Sequence, residues 1–352
     1  EFWEAVAATN EDETEGQSSA RGGHWFPAQD GGADVWISEE LTERVIAVAA
    51  ECVDVHEAVV LTRLFEHWIA TGGHQVLSIS GLLGALLAFF DLGGASTVEL
   101  QLQCLLCIGD SVSDDSVRGV LLVEHGLVKL SHLLRSASVE VVVTTLDILT
   151  DLCVHDDVAD EMEAIDAAAE HANLRFFSVF ATVLLPSSTL HRADSVAGIV
   201  ALKPSVRFLA GLLSDQRGEP TARSFQHCQA MAAQGIVKPL LSLLDTRDDR
   251  ILVIDALLCL RSSLSNTLEQ CADDLIEMQA CALFESVIRQ ATNETTRTQE
   301  LARDCLLILG RDLDSTLFFD AGGLRALRSL ADLPDSGSRV MATRWMRHMA
   351  LS

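Results

Sequence analysis

Two clusters of acidic side chains are the residues of this chain whose types and spacing best suit chemistry. The first cluster is Asp110, Asp114 and Asp115, and the second runs from His155-Asp156-Asp157 to Asp160, Glu161 and Glu163. Carboxylate oxygens are the ligands that calcium prefers, but an EF-hand loop also needs a glycine at its sixth position and a glutamate at its twelfth. Neither cluster supplies both. We therefore interpret the first cluster as a helix end and the second as a helix start, where the helix dipole favours acids, and predict no metal site.

The nine cysteines are a second group of potential ligands. Cys104-Leu-Leu-Cys107 has the spacing of zinc and redox sites, but such a pair normally lies on a turn and a zinc site needs a second pair. No second C-x-x-C follows. Most of the cysteines lie among leucines and isoleucines, where a free thiol behaves as a small buried hydrophobe. The sequence predicts free buried thiols, which indicate a reducing compartment, and we expect a cytoplasmic protein.

Motifs of the common enzyme classes are missing. The chain contains no G-x-S-x-G, no G-x-x-x-x-G-K-[ST], no H-E-x-x-H and no G-x-G-x-x-G. We predict that the chain is not an enzyme, uses no cofactor and has no small-molecule ligand, so its function must lie in its surface.

Net charge limits the partners of that surface. The chain carries 51 acids against 25 lysines and arginines, a formal charge of −26, whereas nucleic-acid binding needs clustered cations. Only three of the cations are lysines. No apolar run reaches the roughly 18 to 20 residues of a membrane helix. We predict protein partners, no nucleic acid and no membrane insertion.

A sequence motif recurs along the chain: a short helix-like run ends in a glycine, and an apolar run spaced Leu-x-x-Leu-Leu follows. It occurs around Gly81, Gly126, Gly235 and Gly323, with a further copy near Ala280. Glycine can end a helix in the left-handed conformation without a steric cost, so we predict that each anchor joins two helices. Repetition at about 45 residues is typical of a helical solenoid.

Each repeat also contains a third helix-like stretch after a polar turn: Val98 to Gly109, Val139 to Leu152, Ile251 to Leu264, Thr298 to Gly310 and Arg339 to Leu351. Three helices per repeat, with a short first one, resemble the armadillo-repeat family from about Ser38 to the end of the chain. The two-helix HEAT type differs from this pattern only by degree and stays an alternative. The resemblance implies an all-α fold, a right-handed α-solenoid of about six to seven armadillo-like repeats.

The predicted organisation has two parts. Residues 1–35 form an acidic, largely irregular segment, and residues 36–352 form the solenoid. The predicted repeats are 38–80, 81–125, 126–171, 172–234 with enlarged loops, 235–279, 280–322 and a partial unit at 323–352. The chain begins with Glu1 rather than Met, so we expect a fragment or a processed form.

The resemblance also indicates where a partner would bind, because third helices line the groove of armadillo proteins. Importin- and catenin-like members carry an Asn there, often with a Trp one turn earlier, which clamps an extended peptide. Here Asp110, Asp151, Ser262 and Arg311 fall near the Asn positions, and Leu106, Asp147, Leu258 and Leu307 near the Trp positions. No third helix holds a Trp-x-x-x-Asn pair. We predict instead a groove with Asp110, Asp147 and Asp151 at one end and Arg261 and Arg311 at the other, suited to a partner segment with a basic and an acidic end.

Large aromatic residues near the termini are further candidates for partner contacts. Trp3, Trp25 and Phe26 lie in the polar N-terminal segment, and Trp345 lies in the last helix. They could anchor a partner, or the first three could dock on the chain's own first repeat.

Three functions fit these observations. The first is a non-enzymatic scaffold or adaptor, a subunit of a larger assembly of cytoskeletal or ciliary type. The second is a chaperone cofactor, because armadillo proteins of similar size act as Hsp70 nucleotide-exchange factors. The third is a basic-peptide import receptor, which the missing Trp-x-x-x-Asn pairs argue against.

Overall fold

The structure is a computed structural model that describes residues 23–26, 35–72, 74–79, 81–92, 97–155, 157–158, 160–162, 165, 196–214, 224–245, 249–290, 296–332 and 336–349. Trp3 and much of the repeat predicted at 172–234 lie outside these residues. The chain divides into two compact units, Glu1–Leu152 and Cys153–Ser352. The sequence predicted one solenoid over 36–352, and the division falls inside the repeat predicted at 126–171.

An antiparallel hairpin precedes the first helix. Strand β1 (Gly23–Phe26) pairs with β2 (Val35–Ser38), with Trp25 opposite Trp36. Residues 1–35 were predicted to be largely irregular, and the composition of this segment gave no sign of β1. Strand β2 contains Val35, Trp36 and Ile37, the β-branched and aromatic residues that strands favour. Strand β1 lies in a polar region of the sequence, and its pairing with β2 accounts for its strand conformation.

Every element described after Ser38 is a helix, which confirms the all-α prediction for that part of the chain. The first unit contains α1 (Glu39–Glu51), α2 (Val55–Gly72), α3 (Leu82–Ala88), α4 (Thr97–Gly109), α5 (Asp115–Val123), α6 (Gly126–Leu133) and α7 (Val139–Leu152), with 3₁₀ helices at His74–Ser78 and Phe89–Asp91.

The second unit contains α8 (Val196–Leu213), α9 (Ser224–Ala233), α10 (Val237–Leu243), α11 (Arg250–Thr267), α12 (Ala272–Glu277), α13 (Ala280–Gln290), α14 (Thr296–Asp312), α15 (Ser315–Asp320), α16 (Gly323–Ala331) and α17 (Ser336–Met349), with a 3₁₀ helix at Glu269–Cys271. Pro204 lies inside α8, which continues through it.

The helices recur in sets of three, a short first helix, a second helix and a longer third one. The complete sets are α5–α6–α7, α9–α10–α11, α12–α13–α14 and α15–α16–α17, and the 3₁₀ helix His74–Ser78 stands first in the set with α3 and α4. Consecutive third helices pack on each other within each unit, α2 on α4 and α4 on α7, then α8 on α11 and α11 on α14. The term third helices covers α2, α4, α7, α8, α11, α14 and α17 below.

Aspartates begin several of these helices by accepting hydrogen bonds from the first turn. The Asp114 carboxylate accepts from Ser116 N at 2.8 Å, and the pKa of Asp114 is lowered chiefly by the hydrogen bond from the Ser116 hydroxyl. Asp54, Asp249 and Asp314 act in the same way at α2, α11 and α15. The Asp110–Asp115 cluster is thus a helix boundary, and among the described residues no group of three or more His, Cys, Asp or Glu side chains is arranged to hold a metal ion.

The joints between first and second helices contain a left-handed residue, as predicted, but at three of the five joints it is not the predicted one. The left-handed residues are Gly81, His125, Gly235, Gln279 and Gly322, with φ between 50° and 86°. The anchors predicted at Gly126, Ala280 and Gly323 each follow the joint by one residue. Gln279 tolerates this backbone with support from its own side chain, whose Nε2 donates to Asp320 O at 2.7 Å in the next joint.

Gly126 and Gly323 serve packing rather than backbone conformation. A Cβ on Gly126 would lie 2.3 Å from Leu121 Cδ1 and 2.9 Å from the Leu121 carbonyl oxygen, and one on Gly323 would lie 2.2 Å from a Phe318 ring atom. Each glycine therefore lets the second helix begin in contact with the first. The sequence pattern identified Gly126 and Gly323 but assigned them the wrong role, and it missed the left-handed Gly322.

The nine cysteines are free and buried, which confirms their predicted place in the core. Cys259 Sγ lies 3.8 Å from Val206 O, and Cys305 Sγ lies 3.8 Å from Leu257 O, so these thiols fill the contact between consecutive third helices. Burial raises the pKa of Cys104 and Cys107 to about 12.

Within the described ranges no single helix is long and apolar enough to cross a membrane. One pair, Arg250–Thr267 with Glu269–Glu277, meets the length and composition criteria only jointly and is bent by 114°.

Candidate protein-binding surface of the third helices

Each third helix buries one side in its unit and leaves another side open to solvent. In α11 the open side carries Ile251, Ile254, Arg261 and Ser265, at spacings of three to seven residues that return to the same face of a helix. Ile251 is 59% exposed although it is aliphatic. The opposite side is fully packed and includes Ala256, Cys259 and Leu260. Open third-helix faces are therefore the surfaces on which the predicted binding residues should be sought.

In the first unit, the predicted acids lie on two third helices that touch. Asp147 and Asp151 are exposed on α7, and Asp110 is exposed directly after α4. A Cβ on Gly109 would lie 3.2 Å from Ile148 Cγ1, so α4 and α7 meet at the residues beside Asp110 and Asp147. Leu106, one turn before Asp110, is 52% exposed.

The charge on these two helices has a single sign. Helices α4 and α7 contain Glu99, Glu140, Asp147 and Asp151 and no lysine or arginine. With Asp110 the set has five carboxylates, and the open face combines this negative charge with the exposed side chain of Leu106. Such a face attracts cationic side chains of a partner.

In the second unit, the predicted arginines are exposed to different degrees. The Arg261 side chain on α11 is mostly buried, only 12% exposed, and its guanidinium lies 3.4 Å from Asp304 Oδ2 on α14. Arg311 is exposed near the end of α14 and donates to both oxygens of Asp312, from Nε at 2.7 Å and from a terminal nitrogen at 2.5 Å. The predicted acids belong to the first unit and the predicted arginines to the second.

Two of the residues that the sequence placed at the peptide-clamping positions of armadillo proteins are buried rather than exposed. Ser262 is fully buried, with Oγ 3.4 Å from Leu213 O, and Leu258 is buried as well. Asn266, the one asparagine on a described third helix, was missed by the sequence reasoning. Its amide donates to Ser262 O at 2.8 Å and to Ser224 Oγ at 3.2 Å, so it links α11 to α9 inside the chain.

Three of the four aromatic residues predicted as terminal anchors lie in the described part of the chain. Trp345 packs on its own unit: its ring lies over Gly310 of α14, and its centroid is 6.0 Å from that of Phe318. A role for Trp345 as a partner anchor stays a prediction. Trp25 and Phe26 lie in β1, and the β1–β2 hairpin lies against α1.

These sets of three helices, stacked through their third helices, define an α-solenoid repeat protein. Comparison with solved structures specifies the type: the chain has an armadillo-repeat fold. A designed armadillo repeat protein, YIII(Dq)4CqI, matches at a TM-score of 0.51 with 16% identity over 75% of this chain and 98% of its own. A second designed protein, YIII(Dq.V1)4CPAF in complex with the peptide (KR)4, matches at a TM-score of 0.53 with 17% identity, and the match covers 76% of this chain and 98% of the designed protein. A computationally designed armadillo repeat protein for modular peptide recognition matches at a TM-score of 0.53 with 15% identity, and the match covers 75% of this chain and 98% of the designed protein.

No family model and no curated protein matches the sequence. At these identities the solved structures establish the fold of this chain and leave its partners open.

Proposed function

We propose that this chain is a non-enzymatic protein-interaction scaffold that binds segments of partner proteins on its open third-helix faces. The observation that carries the proposal is the acidic face of α4 and α7, where Asp110, Asp147 and Asp151 are exposed beside the exposed Leu106. An extended or helical segment with lysines or arginines would complement that face. The scaffold would act as a subunit of a larger cytoplasmic assembly.

The solved structures support a peptide-binding role without identifying a partner. One of them is in complex with the peptide (KR)4, and another was designed for modular peptide recognition. Their fold is shared by this chain, and the acidic face of the first unit has the sign that a basic peptide requires.

Recognition on this face would depend on side-chain charge. The open positions hold carboxylates where a clamp for the peptide backbone would need an amide, which both donates and accepts. Exposed ion pairs are weak and are screened beyond about 8 Å at physiological ionic strength. Binding should therefore be sensitive to salt, and several contacts must act together for useful affinity.

The test is binding of a labelled peptide of alternating lysine and arginine to the full chain, measured by fluorescence anisotropy at low and at physiological salt. The variant Asp147→Lys with Asp151→Lys reverses two charges on α7. We expect it to weaken binding by about tenfold or more, because juxtaposed like charges cost several kcal/mol. The matched control is Glu39→Lys with Glu43→Lys on α1, where both side chains are exposed at the same spacing of four residues.

Equal affinity of both variants and the parent would refute a role for the α4–α7 face. The chaperone-cofactor hypothesis rests on size and fold alone and is tested separately, by whether the chain speeds nucleotide release from Hsp70.

A further inference from the structure

The third helices of the second unit have the opposite charge to the chain as a whole. Helices α8, α11, α14 and α17 contain ten cations and four carboxylates, within a chain whose formal charge is −26. The cations are Lys203, Arg207, Arg250, Arg261, Arg297, Arg303, Arg311, Arg339, Arg344 and Arg347, and the carboxylates are Asp255, Glu300, Asp304 and Asp312. These helices therefore concentrate two fifths of the cations of the chain.

Many of these cations lie on the open side of the helices. Arg207 of α8, Arg297 and Arg311 of α14, and Arg344 and Arg347 of α17 are all exposed. The helices are neighbours within the unit, since α8 packs on α11, α11 packs on α14, and the Trp345 ring of α17 lies over Gly310 of α14. Cations from successive helices therefore contribute to one surface.

Ion pairs between helices hold part of this surface in place. Lys203 of α8 pairs with Asp249, which begins α11, and Arg261 of α11 pairs with Asp304 of α14. Helix α17 contains three arginines and no carboxylate of its own. The charge is therefore balanced within α14, which has three arginines and three carboxylates, and least balanced at α17.

Aliphatic side chains are interleaved with the cations. Ile251 is 59% exposed and Val340 is 65% exposed, while Ile254 and Leu307 are half-buried on the same open sides. Sequence-independent binding of single-stranded nucleic acid uses cations with aromatic platforms for base stacking. The exposed residues named here are aliphatic, which favours a protein partner over nucleic acid.

We infer that this surface, defined by Arg207, Ile251, Arg311, Val340, Arg344 and Arg347, binds an acidic segment of a partner protein that also carries aliphatic side chains. The inference rests on the proposed scaffold function and adds a second site of opposite specificity. Neighbouring helix axes lie about 10 Å apart, so four third helices extend over about 30 Å. An extended chain covers that distance in about nine residues.

The test uses a fluorescein-labelled peptide of about ten residues, the length set by that span, in which a leucine follows every two glutamates. It is titrated with the full chain, with Arg344→Glu/Arg347→Glu, and with Arg325→Glu/Arg328→Glu. The last variant is a matched control, because Arg325 and Arg328 are exposed on the second helix α16 at the same spacing of three residues. Thermal melts followed by circular dichroism check that each variant is folded.

We expect the dissociation constant to rise by about tenfold or more for Arg344→Glu/Arg347→Glu and to stay near the parent value for the control, since the reversed charges then face glutamates. A peptide with glutamine in place of glutamate should bind more weakly than the glutamate peptide.

Equal losses in the two variants, or no binding of the glutamate peptide, would overturn the inference. Tighter binding of a uridine oligonucleotide would overturn it in favour of nucleic acid. Binding that appears only after Glu11, Asp12, Glu13 and Glu15 are neutralised would show that the chain's own acidic segment is the occupant. The lysine–arginine peptide, measured on the same samples, separates failure of this site from failure of the α4–α7 site.

Discussion

The indole ring of Trp345 in α17 lies directly over Gly310 of α14, so closely that a Cβ built on Gly310 would lie 1.2 Å from ring atom Cζ3. This contact joins the last two described third helices, and the Phe318 ring packs against the same indole at a centroid distance of 6.0 Å. Glycine is normally unfavourable inside a helix, so its presence at position 310 is explained by the space that the tryptophan needs.

Gly310→Ala should destabilise the chain although alanine is the better helix former. The new methyl group would displace the Trp345 ring, and we expect a loss of about 2–3 kcal/mol in the free energy of unfolding, typical of overpacking. Urea denaturation followed by circular dichroism measures it. In a Trp345→Ala background the same Gly310→Ala change should be neutral or stabilising, and an equal loss in both backgrounds would mean that the ring is not the obstacle.

The two glycine roles at the helix joints are separable by alanine substitution. Gly126→Ala should cost about 1–3 kcal/mol through the clash with Leu121, including its carbonyl oxygen. Gly235→Ala should cost about 1 kcal/mol through its left-handed backbone alone, since its added Cβ would meet no other atom within 4 Å.

Gly119→Ala is the control for both substitutions, because Gly119 lies inside α5 with nothing within 4 Å of an added Cβ. It should stabilise the chain by about 0.5–1 kcal/mol through helix propensity. A stabilising Gly126→Ala would contradict the packing role.

The cysteines should be unreactive in the folded protein. Burial raises the pKa of Cys228 and Cys281 to about 12, as it does for Cys104 and Cys107, and the thiolate is the reactive form. We expect little reaction with a thiol reagent at neutral pH and reaction of all nine thiols in denaturant. Cys52, at the edge of the core and also raised in pKa by burial, should react first as the pH rises. Rapid labelling of Cys104 in native protein, located by mass spectrometry, would contradict the packed core.

Two aspartates of the second unit should change stability in opposite directions when neutralised. The pKa of Asp249 is lowered, chiefly by the hydrogen bond from Lys203, whereas the pKa of Asp255 is raised by burial against the opposing effect of Arg207. A lowered carboxylate pKa stabilises the fold above the unfolded pKa, and that contribution disappears as the pH falls through the folded pKa. A raised carboxylate pKa means that ionisation costs free energy in the folded state once the pH exceeds the unfolded pKa.

Asp249→Asn should therefore lower Tm at neutral pH and Asp255→Asn should raise it, and both differences should shrink in acid. Asparagine keeps an oxygen that can cap α11, so Asp249→Asn isolates the charge. Thermal melts between acidic and neutral pH measure both effects, and a fall in Tm for both variants at neutral pH would contradict the assignment for Asp255.

The sequence alone predicted the helical repeats, because their signals are local. The third-helix stretches from Val139 to Leu152 and from Ile251 to Leu264 correspond closely to α7 and α11, since apolar spacing and polar turns act over a few residues. The burial of the cysteines was also predictable from their apolar neighbours. The net charge of the chain followed directly from its composition, and the acids of α4 and α7 were identified from the sequence.

The tertiary structure decided which neighbour each residue meets, and such contacts join residues far apart in the chain. Whether Gly126 is a left-handed joint or a close contact depends on where Leu121 lies, and the role of Trp345 depends on Gly310 in another helix. Exposure is equally non-local: Ser262 and Arg261 are adjacent in sequence, yet one is buried and the other reaches Asp304. Sequence periodicity determined the repeats, whereas packing between helices determined which side chains remain on the open third-helix faces for a partner to bind.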